Sequence, residues 1–167
     1  MTDKLWDGAP LSSIDVETFL PHRRPMVLID EVLEHGHDSL LTATHISDAS
    51  PYFDEALGGV PNYVGIEYMA QSIAALAGVE ATLRGEPIQV GFLLGSRKLS
   101  MPLAVFARGE TYTTEVKRLY QEDTGLAVFD CRIFHGATQV AEANVNVFQP
   151  QDTDAYIRES QGSSTRI

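Results

Sequence analysis

The chain has 167 residues, of which 44% are apolar and 21% charged, with a formal net charge of −11. That length suits one domain with a sizeable core, and the apolar fraction excludes a disordered composition. The acidic balance excludes a general nucleic-acid or anionic-membrane binder, because both need a basic face. Arg23-Arg24, Arg97-Lys98 and Lys117-Arg118 remain as local basic patches.

The single cysteine, Cys131, can form no intramolecular disulfide, which fits a reducing compartment. It alternates with Phe129 and Ile133, a spacing that turns all three to one buried face of a strand. The first residues lack the apolar run of a secretory leader, so a cytoplasmic protein is expected. The longest apolar stretch, residues 63–81, is interrupted by Glu67 and Gln71, which argues against membrane insertion.

Taken in order, the chain predicts a short helix from Ser12 or Ser13, with Asp15 as the capping partner of Ser12 and Pro21 forcing its end at Leu20. Residues 26–33 read as a strand, residues 35–38 as a turn and residues 40–46 as the returning strand. An irregular Pro/Gly-containing stretch follows over residues 50–61. The longest helical signal covers residues 62–84 and is stopped by Gly85 and Pro87. Strands are then predicted over 88–94, 103–107, 110–120, 126–135 and 140–148, with turns at Gly109, residues 123–125 and Gly136. Residues 1–150 are expected to form the domain and residues 151–167 a loose polar tail.

The central helix decides the architecture. Between Tyr63 and Val79 only Glu67, Gln71 and Ser72 are polar. A helix that is apolar on every side must be covered on every side. An α+β hot-dog fold does this: a curled antiparallel sheet wraps one long helix, and the remaining face closes against a second subunit. Within that helix Glu67 is surrounded in sequence by Val64, Ile66, Met69 and Ala70. Lost hydration should raise its pKa toward neutrality and equip it for proton transfer. Gln71, one turn later, is placed to hydrogen-bond Glu67 or a substrate.

Two stretches resemble the 3-hydroxyacyl-carrier-protein dehydratases. Residues 20–30, Leu-Pro-His-Arg-Arg-Pro-Met-Val-Leu-Ile-Asp, look like that family's entry segment. Pro61 with Glu67-Tyr68-Met69-Ala70-Gln71 looks like the start of its central helix, and residues 91–98 followed by Met101-Pro102 fit its third strand and turn. The intact run from Tyr63 to Gln71 looks closest to the ApeP-like branch associated with aryl polyene synthesis. The resemblance implies a homodimer or a heterodimer with another hot-dog subunit. It also implies an acyl-carrier-protein or CoA thioester as substrate, and a site in which Glu67 is catalytic while Gly59, Asn62, Tyr63 and Gln71 contact substrate. It further implies a histidine from one subunit facing the carboxylate of the other, a backbone amide at the helix start for the thioester oxygen, and a basic docking patch at Arg97-Lys98 or Arg23-Arg24.

The chain departs from that pattern twice. Phe53 stands where the family histidine lies, fourteen residues before Glu67, and Asn62 replaces a glycine five residues before it. Of the remaining histidines, His22 reads as structural, His35 and His37 as an exposed turn, His45 as half-buried on a strand, and His135 as a strand end. No metal-ligand spacing occurs, so neither metal nor cofactor is expected. Dehydration leads the functional readings; thioester hydrolysis and non-catalytic acyl binding are the alternatives.

Overall fold

The computed structural model describes residues 9–150 and Thr165–Arg166. A seven-stranded, wholly antiparallel sheet has the order β1-β2-β6-β7-β8-β4-β9. Its strands are β1 (Glu31–Gly36), β2 (Ser39–His45), β4 (Phe92–Ser100), β6 (Thr111–Gln121), β7 (Leu126–His135), β8 (Thr138–Phe148) and β9 (Thr165–Arg166). A separate two-stranded ribbon joins β3 (Gly59–Pro61) to β5 (Val105–Ala107). One α-helix, α1 (Gly65–Leu83), lies against β1, β2, β6, β7 and β8. This is the hot-dog arrangement that the all-round apolar helix requires.

Burial follows the sequence pattern. Thirteen of the nineteen α1 residues are buried, and β7 alternates buried and half-buried positions along nearly its whole length. Cys131 sits fully buried in that alternation, and burial pushes its thiol pKa well up, as suits an inert core residue. The opposite side of α1 is covered by the N-terminal segment, whose Leu11, Val16, Phe19 and Leu20 are all buried. That cover is close: a Cβ at Gly78 would lie 1.8 Å from the Phe19 carbonyl oxygen. Only glycine lets the segment lie so near the helix. Past Leu83 the helix closes on Gly85, which takes a φ of 71°.

Several elements depart from the sequence reading. In place of one helix over residues 12–20 there are two 3-10 turns, Leu11–Ser13 and Val16–Thr18, separated by Ile14 in extended conformation. Asp15 caps the second turn by accepting from Glu17 N–H at 3.0 Å, so it does not serve Ser12. Met26 is a bend and residues 27–30 carry no regular structure, so β1 begins only at Glu31. Two of their backbone atoms go to a side chain, Leu28 N–H donating to Gln71 and Met26 C=O accepting from it. β4 starts four residues later than expected and runs on through Arg97 and Lys98, because its ladder with β8 begins at Phe92↔Phe148. A helical signal over 62–64 resolves as a 3-10 turn leading into α1. The expected tail falls outside the described residues except for β9, which pairs with Phe92 and Leu93 of β4.

A partly buried ion-pair cluster ties the sheet to the helix. The Arg118 guanidinium, 13% exposed, bonds Glu80 of α1 and Asp38 of the β1–β2 turn and lies over the Phe129 ring. No helix among the described residues is long and apolar enough to cross a membrane.

Substituting Gly78→Ala should lower unfolding free energy by about 1–3 kcal/mol, although alanine is the better helix former. Urea denaturation checks this. An unchanged or raised midpoint would mean that the N-terminal segment does not pack as described.

Candidate active site

The polar residues inside α1 divide cleanly. Ser72 donates to the Tyr68 carbonyl and shares a 2.8 Å hydrogen bond with Thr42 of β2. Gln71 spends both ends of its amide on residues 26–28: Oε1 accepts from Leu28 N–H at 2.8 Å, and Nε2 donates to Met26 C=O at 2.8 Å. Glu67 has no ion-pair or hydrogen-bond partner among the described residues. It is half-buried, and desolvation alone raises its carboxyl pKa above the ordinary value. The side chain expected to bond Glu67 therefore holds a neighbouring loop, and the carboxyl group is left uncompensated.

Glu67 and Gln71 front a cavity of about 230 Å³. Pro25, Met26, Leu28 and Pro51 give it hydrocarbon walls, and His22 and Tyr52 complete its polar lining. Met26 and Tyr52 are 62% and 58% exposed, so the cavity opens among accessible apolar groups. A larger cavity of about 450 Å³ lies toward the other end of α1. Its floor is Ile73, Ala77, Ala127, Phe129 and Val147, and its rim includes Arg118, Gln121 and Gln149. The smaller cavity is the one that holds the uncompensated carboxyl group.

The other candidate residues have definite places. Gly59 is buried in β3, where a Cβ would meet the Phe106 carbonyl oxygen at 2.2 Å, so it serves the β3–β5 approach and does not face the cavity. Asn62 N–H donates to Ala104 C=O at 3.1 Å and its side chain donates to Leu103 C=O at 2.8 Å. The amide expected to hold a thioester oxygen is thus engaged within the chain. Tyr63 is 71% exposed beside the helix start. Phe53, at the histidine position, packs partly against the core beneath the Arg108 guanidinium, 4.9 Å from its ring centre.

Of the remaining histidines, His37 is exposed as expected, whereas His35 is half-buried and burial lowers its pKa. His45 is exposed and bonded to Thr111, where half-burial was expected. His135 pairs with Glu110. His22, read from sequence as structural, is the one histidine on the Glu67 cavity. Its spacing of forty-five residues from Glu67 carries no sequence signal; only the fold of the entry segment over α1 joins them. Arg23 and Arg24 are committed to the carbonyls of Glu17, Leu20 and His22 and to the carboxylates of Asp15 and Glu17. That leaves Arg97 and Lys98, exposed on β4, as the available basic pair.

Comparison with known proteins agrees with this fold. The family model described as ApeP-like, ApeP dehydratase, matches residues 14–158. The 3-hydroxyacyl-(acyl-carrier-protein) dehydratase FabZ of Roseobacter denitrificans is 32% identical over 82 residues, 47% of this chain and 54% of that protein. FabZ of Thermotoga maritima is 31% identical over 78 residues, 46% of this chain and 56% of that protein. The chain thus spans about half the length of the curated relatives it matches. Among solved structures, a chain of the dehydratase heterocomplex ApeI:P from Xenorhabdus doucetiae superposes with a TM-score of 0.80 at 27% identity, covering 87% of this chain and 97% of that one. A hypothetical thioesterase from Streptococcus pneumoniae bound to coenzyme A shares the fold alone, at 14% identity and a TM-score of 0.56 over 71% of this chain and 84% of that one. The match over residues 14–158 takes in the entry segment, α1 and the whole meander, and the chain belongs to the ApeP-like dehydratase family.

Proposed function

We propose that the chain is the carboxylate-bearing subunit of a dehydratase acting on 3-hydroxyacyl thioesters, working beside a second hot-dog subunit that supplies a histidine. The observation that carries this reading is Glu67, a desolvated carboxyl group without a counter-ion on an apolar cavity. In its protonated form it can give a proton to the C3 hydroxyl as the C3–O bond breaks. A base on the other side of the substrate removes the C2 proton, and the electron pair forms the C2=C3 double bond. Water leaves, and no oxidant or reductant is needed.

Phe53 cannot act as that base, and its ring is packed under Arg108, so a second subunit is the natural source. Two features support such a partner. The ApeI:P structure is by its own description a dehydratase heterocomplex. In this chain, β4 beyond Leu93 is paired only to β8 among the described residues, while its Leu94 and Leu99 are 47% and 52% exposed. An open sheet edge bearing leucines is a surface that another strand completes. The thioester would arrive on a carrier protein or on CoA. Arg97 and Lys98, on this same strand, suit docking of an acidic carrier, and the larger cavity along α1 offers room for the far end of the acyl chain.

With its partner present, Glu67→Gln should reduce dehydration of a 3-hydroxyacyl thioester by at least about 100-fold, with KM little changed. Full activity in the variant would sink the proposal. Release of free thiol in place of an enoyl product would assign hydrolysis instead.

A second outcome follows from the raised pKa of Glu67. The native state holds this proton more tightly than the unfolded chain, so the group's contribution to stability falls as pH rises from the unfolded value through the folded one. Glu67→Gln removes that loss. The variant's Tm should match the parent near pH of about 4 and exceed it at neutral pH and above. Equal differences at both pH values would mean that the side chain is not desolvated.

A further inference from the structure

His22 and Glu67 face a common cavity of about 230 Å³ from two different elements of one chain. The loop that carries His22 is held at both ends by side chains. Arg23 Nη1 donates to the carbonyls of Glu17, Leu20 and His22 itself, at 3.1, 2.9 and 2.7 Å. At the far end Gln71 grips Met26 and Leu28. Gln71 lies one turn after Glu67, on the same helix face. The contact that fixes the loop therefore also fixes the loop relative to the carboxyl group.

We propose that His22 is a positioning residue whose charge state adjusts, across this cavity, the proton affinity that burial gives Glu67, so that the two side chains titrate as a coupled pair. This rests on the reading of Glu67 as the proton donor and adds a second group of this chain to that site. The walls favour coupling. Among the described residues the cavity lining holds one titratable side chain besides His22 and Glu67, Tyr52, and the remainder is hydrocarbon apart from the Gln71 amide. Arg23 and Arg24, the nearest cations in sequence, are spent on backbone carbonyls and on Asp15 and Glu17. Among the described residues no other side chain of α1 that borders the cavity is charged, and the segment at Pro51 contributes the neutral phenol of Tyr52.

An imidazole changes charge near neutrality, in the direction in which desolvation moves the carboxyl group. Protonated His22 favours the Glu67 carboxylate, and ionised Glu67 favours the imidazolium. Each proton gained or lost by one group is therefore felt by the other. The volume admits several waters, so the two groups need not touch to interact.

The test is an NMR titration of the full-length chain, following the Glu67 carboxyl carbon and the His22 imidazole protons, in the parent and in His22→Gln and Glu67→Gln. The proposal expects a two-step Glu67 curve in the parent that becomes one step, with a higher midpoint, in His22→Gln. Coupling is reciprocal, so the His22 midpoint should fall in Glu67→Gln. That second readout decides the matter if His22→Gln does not fold. Superimposable Glu67 curves, or a His22 midpoint indifferent to Glu67→Gln, would overturn the proposal. No substrate is present, so this result is independent of whether the chain catalyses dehydration; the turnover assay with Glu67→Gln addresses that reading separately.

Discussion

The whole molecule follows from one constraint: a helix with almost no polar face has to be taken out of water on all sides. The sheet covers one flank through β2, β6, β7 and β8, and the segment from Leu11 to Leu20 covers another. Cover that close has to be made of small contacts, hence the glycine at position 78 under the backbone of Phe19. Removal of apolar surface from water drives this arrangement. It also imposes a cost on any polar group the helix carries.

That cost makes the site intelligible. Ser72 and Gln71 meet it with hydrogen bonds to Thr42 and to the loop at residues 26–28. Glu67 does not meet it, and its proton affinity rises instead. An uncompensated acid at the entrance of a tightly packed helix is a poor stabilising device. In the proposed function that cost has a use, because the acid is the proton donor. The larger cavity at the other end of α1 lacks such a group: its carboxylates Glu80 and Glu86 are paired with Arg118 and Arg84.

The fold was legible in the sequence because it rests on strong periodic signals. The apolar run of residues 63–79 fixed the helix, and the alternation around Phe129, Cys131 and Ile133 fixed the strand that faces it. Misplacements came where backbone hydrogen bonds go to side chains or where a strand is exposed. Residues 26–30 have a strand's composition but give two of their polar atoms to Gln71, and β4 carries Arg97 and Lys98 in an exposed edge that no apolar pattern marks. Of the candidate site, the sequence made legible the half-buried carboxyl group of Glu67. Gln71, expected to bond Glu67 or a substrate, bonds Leu28 and Met26, and Asn62 and Gly59 take part in the chain's own backbone packing. His22 could not be placed beside Glu67 at all, since what unites them is a tertiary contact between the entry loop and α1.

The account stands or falls on whether Glu67 keeps its proton where an ordinary glutamate has lost it. Infrared spectra of the parent and Glu67→Gln, recorded as pH is raised from about 4 through the range in which exposed glutamates ionise, measure this directly. The account predicts a carboxylic-acid carbonyl band in the parent, missing from the variant, that outlasts the loss of the ordinary carboxyl signal. Identical spectra in the carbonyl region, with the Glu67 signal found only among the carboxylates, would contradict it.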